Sequence, residues 1–319
     1  MQTKSNGKAA FYALCAFAIF ATHDVFVKIL GADYSSFQIV FFNVVFGLPL
    51  VTLIMMQDAK PGTLLPVHPI WSAIRTVATM LAGLLAFHAF SVLPLAQVYS
   101  ILFAMPLMIT VLAIPILGER VGFHRWMAVF VGLIGVMIVL RPDSVDLQLG
   151  HLAALGAALS GAMASVIVRK IGQEVRLVVL MIYPMIVTFI CMGIALQFHY
   201  EPMPLADMRI SFLIAVLGLI ATFFVIAAYR MGEAAIVAPM QYSQIIWASL
   251  FGYFLFGETM DQSTIIGAGV IIASGLYIVL REAGASASEH TPVLRARSRF
   301  EMGGGLRVGA MIRAIRLRK

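Results

Sequence analysis

"SVLPLAQVYSILFAMPLMITVLAIPILGER" (residues 91–120) and "RMGEAAIVAPMQYSQIIWASLFGYFLFGET" (230–259) overlay without a gap. Each is mostly apolar, and each closes on a bulky apolar residue followed by Gly and Glu: Leu117-Gly118-Glu119 and Phe256-Gly257-Glu258. A further apolar run follows each and ends in the same four residues, Ile138-Val139-Leu140-Arg141 and Ile278-Val279-Leu280-Arg281. The starts match more weakly, "FVKIL" (26–30) against "IVRKI" (167–171). The chain is therefore written twice, over 9–141 and 150–281.

Composition says what kind of repeat this is. The 319 residues are 61% hydrophobic and 12% charged, with mean hydropathy +0.96. A soluble domain is about 45–50% apolar and about 25% charged. Here the charge is halved and sits between long apolar runs, the pattern of an integral membrane protein. Ten runs follow one another: 9–30, 36–56, 70–91, 95–117, 123–141, 150–170, 177–197, 209–229, 234–256 and 262–281. Each is close to the ~20 residues that cross a ~30 Å hydrocarbon layer as helix. Lipid cannot satisfy exposed backbone groups, and these runs do not alternate as barrel strands do, so helix is the expected form. The first run carries His23 and Asp24 and lacks a small-residue cleavage site, so it reads as a retained helix rather than a signal peptide. The fold class is all-α integral membrane, with ten transmembrane helices.

Five helices per repeat is an odd number, so the second repeat is inverted relative to the first. Basic residues set the orientation. With the N-terminus inside, only Lys28, Arg141 and Arg209 of the 22 Lys and Arg fall on the outer side. Both termini are then cytoplasmic, and the expected place is a bacterial-type inner membrane. Cys15 and Cys191 lie inside helices, so no disulfide framework is indicated. Residues 283–319 form a basic cytoplasmic tail that suits anionic lipid. Without it the charge is nearly balanced, which argues against a nucleic-acid partner.

Polar residues inside the bilayer are the site candidates, because an ionisable group there costs roughly 2.5–3.5 kcal/mol on insertion scales and faces a cavity or partner. The first repeat offers His23, Asp24, Asn43, His88, Gln97 and Tyr99, all in the outer halves of their helices and so fit for a polar vestibule. The second offers Gln241, Tyr242, Gln244 and Trp247, with Gln241, Gln244 and Trp247 three residues apart on one helix face, and Thr222. Interhelical hydrogen bonds and ordinary packing account equally for any one of these. Phe-rich helices 1 and 2, including Phe17, Phe20, Phe41, Phe42 and Phe46, could stack a flat ring. Gly156, Ser160 and Ala164 form a small-residue face for close helix approach. Glu119 and Glu258 read first as helix ends at the interface, and second as gating groups. No HExxH, GxSxG or P-loop is present, so the reading is not an enzyme, with no cofactor and no metal site. The sequence specifies no oligomeric state.

Inverted repeats are a recurring architecture of secondary transporters, with the substrate at the repeat interface near mid-membrane. Ten helices, two such repeats, and "LGER" (117–120) and "FGET" (256–259) after helices 4 and 9 resemble the EamA-type drug/metabolite transporter superfamily. The resemblance covers about 9–282. Within the superfamily, the stretch from Arg75 to Arg120 resembles the bacterial subgroup of riboflavin and S-adenosylmethionine importers. It implies a secondary transporter of a small-molecule substrate, with riboflavin uptake the first expectation. S-adenosylmethionine import, or export of an amino acid or other metabolite, is the alternative. A non-transporting membrane receptor or accessory subunit is the alternative of a different class. His23-Asp24 admits proton coupling, and facilitated diffusion fits as well.

Overall fold

A computed structural model describes residues 6–56, 65–119, 122–140, 148–171, 175, 177–232 and 234–284. The basic tail, apart from the end of the last helix, lies outside the described residues. The helices are α1 (Asn6–Leu30), α2 (Ser36–Met56), α3 (Pro69–Val92), α4 (Leu95–Leu102), α5 (Met105–Leu117), α6 (Phe123–Leu140), α7 (Leu149–Ile171), α8 (Leu177–His199), α9 (Leu205–Met231), α10 (Ala234–Val237), α11 (Gln244–Phe256) and α12 (Gln262–Gly284). A 3₁₀ segment, Ala238–Ser243, joins α10 to α11. Nine spans among the described residues are long and apolar enough to cross a membrane, with α4 and α5 counted as one. The tenth expected span, 234–256, is present but divided, so no piece of it has the length.

The two divided spans are equivalent in the repeats. In the first, Phe103 and Ala104 interrupt the helix, and the hydrogen bonds tighten to three-residue closure, Ala104 N–H to the Ile101 carbonyl at 3.0 Å and Leu107 N–H to the Ala104 carbonyl at 3.0 Å. In the second, the same change runs through Ala238–Ser243. Pro106 and Pro239 stand at these places and supply no N–H to an α-helical ladder. Phe103 and Tyr242, equivalent by the gap-free overlay, meet edge to face with ring centroids 5.0 Å apart. The breaks therefore lie together where the repeats adjoin.

The Gly-Glu punctuation also repeats in three dimensions. Gly118 (φ 71°) and Gly257 (φ 65°) adopt the left-handed conformation that ends a helix. Glu119 N–H then closes on the Ala113 carbonyl at 3.4 Å, and Glu258 N–H on that of Gly252 at 2.9 Å. Each glutamate is thereby held beside the last turn of its helix.

Packing follows the repeat symmetry. α1 lies mainly on α9, and its counterpart α7 lies mainly on α3; α6 crosses α12 at Gly135 and Gly267. The face of α7 that is buried is set by Ala154, Ala157, Ala158, Gly161 and Ala162. Gly156, Ser160 and Ala164, expected to form the close contact, are only half-buried at its edge. Arg75, one of the basic residues counted toward the inner side, is a buried residue of α3.

Candidate functional site

Asp24 is the centre of the polar interior. It sits in the last two turns of α1 and is 1% exposed. His23 Nδ1 lies 2.8 Å from Asp24 Oδ1. An ionised Asp24 only accepts, so it fixes the ring proton on Nδ1. The Tyr99 hydroxyl of α4 donates to Asp24 Oδ2, and Gln244 Nε2 at the start of α11 reaches the Tyr99 oxygen at 3.5 Å. Four candidates from both repeats thus converge: His23, Asp24, Tyr99 and Gln244. The broken helices explain why. Tyr99 and Gln244 flank the two interruptions, where backbone irregularity turns side chains toward the repeat interface. No Lys or Arg pairs with Asp24 among the described residues. The carboxylate is buried in the membrane with a histidine and a phenol as its company.

Aromatic rings surround this cluster, but not the expected ones. Phe87 of α3 meets the His23 ring edge to face at 5.8 Å. Phe90 and Phe103 lie 5.4 Å and 6.1 Å from the Tyr99 ring. The phenylalanines of helices 1 and 2 serve packing: Phe17 and Phe20 fill the α1–α9 contact, Phe41 stacks on Phe189 of α8, and Phe42 stacks on Phe46.

The remaining candidates are placed elsewhere. Asn43 lines a cavity of about 70 Å³ between α2, α3 and α8, with Thr79, Gly83, Phe87 and Thr188. His88 pairs loosely with Ser36 at 3.4 Å, near a helix end. Gln97 contacts the buried His151 at 2.9 Å and lines a larger cavity, about 230 Å³, with Ser249, Glu258, Asp261 and Thr264. Ala96 and Ala248 also line it, each about one turn from Tyr99 or Gln244. This cavity therefore approaches Asp24 from the Glu258 face. Gln241 is half-buried in the 3₁₀ segment, and Trp247 stacks on its own helix, on Phe251 at 6.4 Å. The expected Gln241–Gln244–Trp247 stripe does not gather at one place: Gln244 is buried and reaches Tyr99, while Gln241 and Trp247 stay half-buried.

Tyr242 is buried between Phe103 and α12. Space for its hydroxyl comes from Gly275, where a Cβ would stand 2.0 Å from it. Gly275→Ala is expected to lower stability by about 1–3 kcal/mol. Tyr242→Phe removes the colliding atom, so the double variant should recover most of the loss. Thermal unfolding of the four proteins in detergent checks this as a double-mutant cycle; additive losses would show that Tyr242 moves aside freely.

Two ion pairs escaped the reading of the sequence. Lys28 Nζ is 2.8 Å from Glu258 Oε1, donates to the Leu93 carbonyl at 2.6 Å, and lies over the Phe256 ring. On the opposite face Arg169 pairs with Glu119, and neighbouring Lys170 donates to the Ile116 carbonyl at 2.7 Å. Lys28 and Arg169 are equivalent in the repeats, as are Glu258 and Glu119. Each pair joins the first helix of one repeat to the fourth span of the other. The match of "FVKIL" to "IVRKI" carried the signal, since it puts a cation at the same place in both halves.

Comparison with known proteins agrees with this architecture. Residues 7–141 and 148–280 each match the EamA-like transporter family. An S-adenosylmethionine uptake transporter of Rickettsia prowazekii is 28% identical, over 91% of this chain and 98% of that protein. A riboflavin transporter of Vibrio cholerae is 27% identical over 61% of this chain and 66% of its own length. A crystal structure of a protein 16% identical has the same fold, with a TM-score of 0.59 over 89% of this chain and all of the other. With both halves matched and ten apolar spans arranged as two five-helix repeats, the chain is a multi-pass membrane protein and belongs to the EamA-like transporter family.

Proposed function

We propose that this transporter takes up S-adenosylmethionine. The observation that carries the reading is Asp24: a carboxylate 1% exposed, at the repeat interface, with no cationic side chain among the described residues to balance it. A substrate that brings a positive charge answers that arrangement, and the rings of Phe87, Phe90 and Phe103 suit a sulfonium as well as a purine. Similarity to a named S-adenosylmethionine transporter over nearly the whole length supports the same reading. It reverses the order expected from sequence alone, where riboflavin came first. Riboflavin is uncharged at neutral pH and leaves Asp24 unused, and the Trp247 ring is turned to Phe251.

The protein purified into liposomes is expected to accumulate S-adenosylmethionine. S-Adenosylhomocysteine, which lacks the sulfonium charge, should compete about tenfold or more weakly. Riboflavin uptake without S-adenosylmethionine uptake would reverse the assignment. No solute movement at all would favour a receptor or accessory subunit.

In this reading the chain lies in a bacterial inner membrane with the Glu119 face and both termini toward the cytoplasm. The uneven Lys and Arg distribution supports that orientation. A reporter active only in the periplasm, fused after Lys319, should be inactive. His23-Asp24 is the group that takes up a proton when the substrate's positive charge departs. Collapsing the pH gradient across loaded liposomes should then lower accumulation, and equal accumulation points to facilitated diffusion.

A further inference from the structure

Arg75 is a buried cation with no ionic partner among the described residues. It stands in the second turn of α3 and is 3% exposed. Its Nη1 donates to the Leu180 carbonyl of α8, while its Nε meets no acceptor. The hydroxyls of Ser72 and Thr79 are also buried and without partners. These residues lie three behind and four ahead of Arg75, on one face of the helix. The second repeat has no counterpart: the corresponding residues of α9, at 214–216, are Ile, Ala and Val. So Arg75 does not belong to the symmetric framework that Lys28, Glu119, Arg169 and Glu258 supply.

A guanidinium kept from water and from carboxylates inside a membrane helix marks a place where a ligand supplies the missing charge. The donors specify its chemistry. A planar guanidinium flanked by two hydroxyls matches a carboxylate, which accepts from the guanidinium fork on both oxygens and still offers lone pairs to Ser72 and Thr79.

Position connects this face to the Asp24 site. Beyond Arg75 the same strip of α3 continues through Thr79, Gly83 and Phe87, which line the cavity of about 70 Å³, and Phe87 touches His23. Twelve residues of helix separate Arg75 from Phe87, roughly 18 Å. In the other direction lies Trp71, whose ring carries Lys170 at 4.1 Å, beside the Arg169–Glu119 pair. Arg75 is thus at the far end of a strip that begins at Asp24, just inside the Glu119 face.

We infer that Ser72, Arg75 and Thr79 form a carboxylate-binding station that receives the substrate after Asp24 releases its cationic end. The inference rests on the proposed uptake of S-adenosylmethionine, which carries an α-carboxylate beside its sulfonium; riboflavin has none. Separate stations for the two charges give the substrate a countercharge at each end of its path.

Binding of S-adenosylmethionine and of its decarboxylated form to the purified protein in detergent tests this. The wild type should prefer the carboxylated form, and Arg75→Gln should reduce the preference by about tenfold or more while leaving affinity for the decarboxylated form within about threefold. Comparing two ligands on two proteins cancels the difference in ligand charge felt at Asp24. A preference unchanged by Arg75→Gln overturns the station. Thr79→Val and Arg75→Lys, which alter the donors with the charge kept, should each lower the preference part way, and they decide the matter if Arg75→Gln does not fold. If the wild type binds neither compound, the proposed substrate falls, and L-methionine decides the station alone. It should raise the wild-type melting temperature where 3-(methylthio)propylamine does not, with no rise in Arg75→Gln. No rise in the wild type overturns the station too.

Discussion

Asp24→Asn is expected to lower S-adenosylmethionine uptake about hundredfold or more, with protein level and melting temperature unchanged. Asparagine keeps the shape of the side chain; its carbonyl oxygen can still accept from the Tyr99 hydroxyl, and its amide donates to His23 Nδ1 once the ring takes the other tautomer. What disappears is the charge. In a water-excluded site a lone charge governs a charged ligand far more strongly than it would at a surface. Asp24→Glu keeps the charge but moves the carboxylate off His23, and should retain measurable uptake. Tyr99→Phe removes one donor and should cost less than Asp24→Asn. Wild-type kinetics in Asp24→Asn would remove this residue from the site. A parallel fall in melting temperature would make its role structural.

Glu119→Ala is the second large effect expected, here on stability. Arg169 and Glu119 have side chains 12% and 8% exposed, and removing the acid leaves a guanidinium in a poorly hydrated place. Breaking a buried pair from one side costs about 3–5 kcal/mol. The lower end applies, because one carboxylate oxygen and one guanidinium nitrogen have no partner even in the intact pair. Exchanging the charges, Glu119→Arg with Arg169→Glu, should restore most of the loss in thermal unfolding. Glu258→Ala should cost less, since its side chain is 17% exposed and Lys28 keeps the Leu93 carbonyl and the Phe256 ring. Equal losses at the two faces would mean that burial does not set the cost.

Much of the architecture was legible because a membrane helix declares itself by length and apolarity, and because the two halves repeat. All ten expected spans occur, most of them with ends within a few residues. The interruption of two of them was not legible. Pro106 and Pro239 are visible in the sequence, but Pro49, Pro115 and Pro184 sit inside continuous helices, so proline alone does not report a break. The same limit applied to the site. Asp24 and His23 stood out because charge inside lipid is rare. Trp247 failed to join them because it packs along its own helix on Phe251, a choice of neighbour that spacing alone does not report. Arg75 looked like an orientation signal near a helix end; its burial separates it from Arg125. Its neighbours Ser72, Thr76 and Thr79 at helical spacing were the available clue.

The meeting of Phe103 with Tyr242 has a consequence for movement. In a duplicated, inverted protein, exchanging the shapes of the two halves turns every contact into the contact between the corresponding residues. The Lys28–Glu258 pair becomes the Arg169–Glu119 pair, so a cycle that works by such exchange can weaken one while it tightens the other. A contact between two residues that correspond to each other turns into itself. Phe103 against Tyr242 is such a contact, and it lies where both fourth spans give up regular helix. It can stay made throughout the cycle while everything around it changes sides. That is the property of a fulcrum, and it would be unchanged whichever direction the cargo travels.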